Sequence, residues 1–291
     1  MKTEDHAAAA GHSLNPARWQ EAFEGLMSRI EGRFTRVESR CPARKLVLGL
    51  LSDLPRKNCW TIAEWAGDRT PDGMQHLLGR AKWDADQVRD DVQAYVLEHL
   101  HDDEAVLVVD ETGDGKKGTD TVGAQRQYTD TAGRIENAQV AVYLVYAGQR
   151  GPAAVDRELY VPRSWTFDPG RCRAAGIGDN TEFATKPELA ARMVTRFLDV
   201  GHRAAWVAGD EVYGGDPRLR TALEERGTGY VLAVACSHEV TTSAGKFRAH
   251  VLARKVVPKK ASQKLSARVG AKGHRFYDWA VIDLTDPQPG S

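Results

Sequence analysis

The sequence predicts an α/β protein in two parts: a helical N-terminal domain over residues 1–100, and a mixed β-sheet with flanking helices over residues 101–291. Three observations carry this. Up to residue 100, apolar residues recur at helical spacing, with prolines at the segment edges. Beyond it the apolar runs become short and rich in Val, Leu and Tyr, which suit a pleated surface. From residue 189 onward, helical and strand patterns alternate, as crossovers in a mixed sheet require.

Asn15 and Pro16 make an N-cap and first helical residue, and Trp19, Phe23, Leu26, Ile30, Phe34 and Val37 then follow at three to four residue intervals. Residues 41–55, 58–67, 70–83 and 84–100 read as further helices, with Pro42, Pro55 and Pro71 at their edges. The pair over 58–83, joined across "GDRTPDG", has the outline of a helix-turn-helix, a DNA-binding device, and equally of two helices in any bundle. Strands are expected at 104–110, 138–148 and 157–165. A helix at 189–201, a strand at 204–214, a helix at 216–227 and a strand at 229–236 complete the sheet.

No stretch approaches the roughly 20 apolar residues that span a bilayer. The opening "MKTEDHAAAAGHSLNP" lacks the apolar core of a secretory signal. The expectation is a cytoplasmic protein with no membrane partner. Cys41, Cys59, Cys172 and Cys236 are scattered with no C-x-x-C pair, which argues against a zinc knuckle and a disulfide framework.

Net charge is zero over 40 basic and 40 acidic residues, but the distribution is uneven. Between Val240 and Tyr277 there is no Asp or Glu, while Lys246, Arg248, Arg254, Lys255, Lys259, Lys260, Lys264, Arg268, Lys272 and Arg275 all fall inside. A one-signed block of this length, a basic insertion over 240–277, points to a polyanion; its bland counterpart is a disordered basic linker.

The stretch "AVLVVDETGDGKKG" (105–118) is an apolar strand running into a G-x-G-x-x-G series at Gly113, Gly115 and Gly118. A dinucleotide loop needs its first glycine at the strand end and a helix packed after the third. Here Asp110, Glu111 and Thr112 intervene, and the following "TDTVGAQRQYTDTAG" is not helical. An oxidoreductase reading is therefore weak. A phosphate loop fails because Lys116 and Lys117 are not followed by Ser or Thr. An EF-hand count from Asp110 reaches Thr121 where a bidentate Glu is required.

What remains is a carboxylate presented at a strand end, and the sequence does this twice: "LVVDETG" at Asp110 and "WVAGDEVYGG" at Asp210. An Asp in such a place is commonly a turn residue. Two on neighbouring strands repel unless a cation lies between them, and hard oxygen ligands suit Mg²⁺ or Mn²⁺. Paired ions of this kind serve in-line attack at phosphorus. Strand alternation sends Glu111 and Glu211 away from the face that Asp110 and Asp210 share. With the basic block as polyanion ligand, the residues converge on metal-dependent chemistry on nucleic acid.

"LVVDETGDGKKG", "GAQRQYTDTAGRIENAQVAVYLVYA", "WVAGDEVYGGDPRLRTALEERG" and "GYVLAVAC" together resemble the DDE transposases of bacterial insertion sequences, from about residue 15 to the end. The resemblance implies an RNase H-like catalytic domain, with Asp110 as first acid, Asp210 as second, and a Glu on a later helix as third. It also implies strand cleavage and transfer at the element ends and target by metal-dependent phosphoryl transfer. Lys116, Lys117 and Arg126, beside the first acid, join the basic block as expected DNA contacts.

The third acid departs from the pattern. Glu211, Glu224 and Glu225 come too early, Glu239 borders the basic block, and Asp278, Asp283 and Asp286 fall on or just after "YDWAVIDL". The expectation is a copy cut short at its C-terminus and inactive alone. An uncovered apolar strip near "YDWAVIDL" would then favour association, as in a homodimer. The alternative is a non-catalytic DNA-binding protein that competes for element ends.

Overall fold

The computed structural model describes residues 15–129, 131–178, 181–270 and 273–285. The opening segment before Asn15, Lys272 and Asp286 lie outside these, and Lys259 and Arg268 are described by their backbone only. The chain divides into two compact units, Met1–His101 and Asp102–Ser291.

The first unit holds α1 (Pro16–Ile30), α2 (Arg40–Leu51), α3 (Cys59–Trp65), α4 (Asp72–Gly79) and α5 (Ala85–Leu100). Asn15 caps α1 by accepting from the amides of Ala17 and Arg18. Asn58 and Thr61 form a reciprocal capping box on α3, and Asp84 caps α5. Phe23, Met27, Ile30, Phe34, Ala43 and Leu77 share one buried cluster, and Ile62, Ala63 and Met74 make a second where α3 meets α4. The first helix is shorter than its periodicity predicts. It ends at Ile30, and Phe34 instead forms a β-bridge with Trp83, their rings 5.8 Å apart. Val37, in step with the helical pattern, is 68% exposed. Gly32 lies at the break, where a helix is about 1 kcal/mol less favourable than with Ala.

The second unit is built on a six-stranded mixed sheet. Its strands are β1 (Val106–Gly115), β2 (Gln125–Thr129), β3 (Arg134–Gly148), β4 (Gly151–Tyr160), β5 (Trp206–Gly209) and β6 (Gly229–Leu232). The order β2-β3-β1-β5-β6 has β4 paired to the remaining length of β3. β1 runs antiparallel to β3 and parallel to β5, which is parallel to β6. The helices are α6 (Arg163–Thr166), α7 (Pro169–Ala174), α8 (Lys186–Asp199), α9 (Glu211–Gly214) and α10 (Pro217–Glu224). A Thr185/Glu188 capping box starts α8, whose Leu189, Ala190, Met193, Val194 and Phe197 are buried. With Leu107, Val109, Val142, Leu144, Tyr146 and Val207 of the sheet, also buried, they form the core. Each such side chain contributes roughly 1.5–3 kcal/mol. This is the α/β architecture the sequence predicts, with differences in detail.

The strand leading to Asp110 does not stop there. β1 continues to Gly115, because β3 is long enough to pair with all of it, from Val106↔Ala147 to Gly115↔Ala138. The glycine series is therefore largely strand, and Gly113 is needed for space: a Cβ there would collide with the Thr129 side chain. β2, within the segment read only as non-helical, is a strand because Gln125–Thr129 pairs with the start of β3. β4 begins at Gly151, earlier than its apolar residues predict, and ends at Tyr160, with α6 beyond.

The basic block is folded rather than a linker over its described residues. β7 (Glu239–Thr242) and β8 (Gly245–Arg248) form one hairpin, helical turns follow from Ala249 to Ala261, and β9 (Gln263–Gly270) pairs with β10 (Gly273–Trp279). Leu252 is buried, and it lines an apolar pocket with Val240, Val257, Ile282 and Leu284. Trp279 and Leu284 remain exposed, and Val281 is 97% so.

Candidate active site

Sites in open α/β sheets form at the carboxyl ends of parallel strands; Asp210 follows the last residue of β5, while Asp110 lies within β1, one residue past its parallel pairing with β5. In the parallel register Val109 lies opposite Gly209, so Asp110 and Asp210 follow at neighbouring positions. Asp210 caps α9, accepting from the Val212 amide at 2.9 Å. Asp110 is exposed, and its carboxylate accepts from the Glu111 amide at 2.8 Å. Gly214 lets α9 press on the end of β6, since a Cβ there would overlap the Ala233 carbonyl.

Glu111 behaves differently from its expectation. It lies on the face of buried Leu107 and Val109, its side chain 7% exposed, where it pairs with the Lys186 ammonium at the start of α8 and accepts from the Tyr213 hydroxyl, each at 2.5 Å. Glu111, Glu211, Asp210, Lys186 and Tyr128 line one cleft of about 540 Å³. The cleft thus brings Asp210 together with Glu111 and Glu211, which were expected to point away, whereas Asp110 is not among its lining residues. For Glu211 the reason is that β5 ends at Gly209, past which the chain is a helical turn and strand alternation no longer applies; Glu111, still within β1, alternates with Asp110, and α9 brings Tyr213 to it. Burial raises the Tyr213 pKa far above its ordinary value, helped by the hydrogen bond to Glu111 and the charges of Glu111, Asp110 and Asp210. Its hydroxyl stays a donor, and the three acids act together on it.

As for the expected DNA contacts, Lys116 is paired with Asp114, while Lys117 and Arg126 are exposed. In the block, Lys246 pairs with Glu239 at 2.9 Å; Arg248, Arg254, Lys255, Lys260, Lys264 and Arg275 are exposed. The third-acid candidates are engaged elsewhere or lie on other elements. Glu224 accepts from Tyr230 and Asp278 is on β10. Among the described residues no group of three or more His, Cys, Asp or Glu side chains is disposed to hold a metal ion. Carboxylate oxygens, such as those of Asp210, Glu111 and Glu211 in the cleft, are hard donors of the kind that divalent metal ions take. Lys186 and Tyr128 of the cleft, and the buried Tyr213 behind it, are the residues that sequence reasoning missed. Only Tyr213, three residues past Asp210, carried a local signal.

The chain belongs to the DDE superfamily endonucleases, whose family model it matches over residues 29–276. These generally use divalent metals, and the mixed sheet with its helices is consistent with an RNase H-like DDE domain. Among individual proteins, the chain is similar to a probable transposase for insertion sequence element IS701 from Microchaete diplosiphon. The two are 33% identical over 198 residues, covering 67% of this chain and 49% of that protein. The chain thus spans about half the length of that relative. Among the described residues no helix is long and apolar enough to cross a membrane.

Proposed function

We propose that this chain acts as an insertion-sequence transposase, cutting and joining DNA by metal-dependent phosphoryl transfer, with Asp110 and Asp210 as metal-holding acids. The observation that supports the reading is the Val109↔Gly209 register, after which the chain continues into Asp110 on β1 and into Asp210 beyond β5. Its partners in this reading are the DNA of the element ends and target, and a second copy of itself.

A divalent ion held by these acids, Mg²⁺ or Mn²⁺, would supply positive charge to offset negative charge on the phosphate oxygens. The protein's part is placement. Asp110 and Asp210 provide the anionic oxygens, and the Glu111–Lys186–Tyr213 cluster ties β1 to α9 and to the start of α8. Lys117, Arg126 and the exposed residues of the basic block hold phosphates along the strand.

The test is Mn²⁺ binding by the 291-residue chain, followed by electron paramagnetic resonance, with Asp110→Asn and Asp210→Asn. Each variant is expected to weaken binding about tenfold or more, since each removes one of two anionic donors. Unchanged Mn²⁺ affinity in both, with DNA binding retained, would replace the catalytic reading by that of a protein that only occupies element ends.

A further inference from the structure

In the N-terminal unit a pocket of about 320 Å³ opens between the segment after α1 and the segment after α4. Arg36, His76, Arg80 and Lys82 line it, together with the hydroxyl residues Thr35 and Ser39. No carboxylate lines it among the described residues. Nearby arginines have partners: Arg33 pairs with Asp91 at 2.6 Å, and Arg44 with Glu24. The four basic side chains of the pocket have no such ion pair among the described residues. Unpaired cations gathered around a concavity repel one another, an arrangement that an anion relieves.

The walls are held in place before any ligand arrives. The Phe34↔Trp83 bridge joins the two segments, the Thr35 amide donates to the Lys82 carbonyl at 3.3 Å, and the Asp84 amide to the Arg33 carbonyl at 3.2 Å. Trp83 Nε1 donates to the Leu77 carbonyl at 3.1 Å and so anchors the same segment to α4. A preformed site loses less ordering entropy on binding. Compensation of the α4 dipole explains cations at its C-terminal end, hence His76 and Arg80. It does not explain Arg36 and Lys82, which reach the pocket from outside that helix.

We propose that this pocket is a phosphate-binding site, and that its ligand is a backbone phosphodiester of DNA. Guanidinium groups fork onto phosphate oxygens, the lysine adds a compact charge, and hydroxyls donate to the remaining oxygens. The phosphate chemistry comes from the pocket; DNA as its source rests on the function proposed above.

The experiment measures duplex binding by the full 291-residue chain through fluorescence anisotropy at several salt concentrations, for wild type and for Arg36→Ala/Arg80→Ala/Lys82→Ala. If the pocket takes one phosphate, the log–log salt slope of the variant becomes shallower by about 0.9, so that a fourfold rise in salt costs it about 3.5-fold less affinity than it costs wild type. Arg36→Lys/Arg80→Lys keeps the wild-type slope. In parallel, the His76 imidazole resonance is followed while duplex or inorganic phosphate is added to wild type, which also decides the matter should the alanine variant not fold. A shift with duplex supports the site. An unchanged slope in a folded variant, or no His76 shift with duplex, overturns it. A shift with inorganic phosphate alone reassigns the pocket to a free anion and overturns the DNA assignment. Mn²⁺ binding at Asp110 and Asp210 is read separately, so either reading can fail without the other.

Discussion

At Glu111 two interactions converge on one buried carboxylate, the Lys186 ammonium and the Tyr213 hydroxyl. The two are not equivalent. Removing the counter-charge strands an ion, which costs about 3–5 kcal/mol in a fully buried pair and less here because Lys186 keeps 21% of its side-chain surface. Removing a neutral donor costs about 1–3 kcal/mol. We therefore expect Lys186→Met to lower the calorimetric melting temperature more than Tyr213→Phe, and Glu111→Gln to recover part of the loss when added to Lys186→Met. The opposite order would show that Glu111 is held as a neutral acid. Nothing local in the sequence couples these residues: Glu111 and Lys186 are 75 positions apart, and only the docking of α8 on the sheet joins them.

At the scale of elements, the basic block shows how charge and fold are read separately. Its one-signed composition is plain in the sequence, but whether it is a linker or a folded face depends on strand pairing, which β7–β8 and β9–β10 provide. If the block neutralises about five phosphates, log affinity for DNA falls with log salt at a slope of about −4 to −5. Lys255→Ala/Lys259→Ala/Lys260→Ala/Lys264→Ala is expected to flatten that slope equally for unrelated sequences, as measured by anisotropy. A slope that stays the same would remove the block from the DNA interface. The glycine series after Asp110 teaches a related lesson. Gly113 and Gly115 suggest a loop by composition, yet the long partner strand β3 keeps them in the ladder, because each added pair satisfies backbone groups that a loop would leave to water.

For the whole molecule, the division at residues 101 and 102 has a physical consequence. Each unit carries its own buried clusters, the first around Phe23, Met27 and Leu77, the second around the β1–β3 sheet and α8. Residues 1–101 and 102–291, expressed separately, are each expected to unfold cooperatively when heated and monitored by circular dichroism. A fragment that shows secondary structure without a cooperative transition would mean that its core needs the other unit.

The sequence by itself determined the class of the protein, the run of helices before residue 100 and the apolar runs that lead to Asp110 and Asp210. These follow from local causes: apolar periodicity, the caps at Asn15, Asn58 and Asp84, and the carboxylates that follow apolar runs. Only the tertiary structure decided that Phe34 leaves its helix for Trp83, that β2 exists, and that Glu111 turns to Lys186 and Tyr213 rather than away from the cleft. Nor could spacing show that Arg36 and Lys82, on either side of three helices, face one pocket with Arg80 and His76. Each of these is a contact between segments distant in sequence. Its energy comes from burial and pairing with residues that no local window contains, so it appears only when the chain has closed on itself.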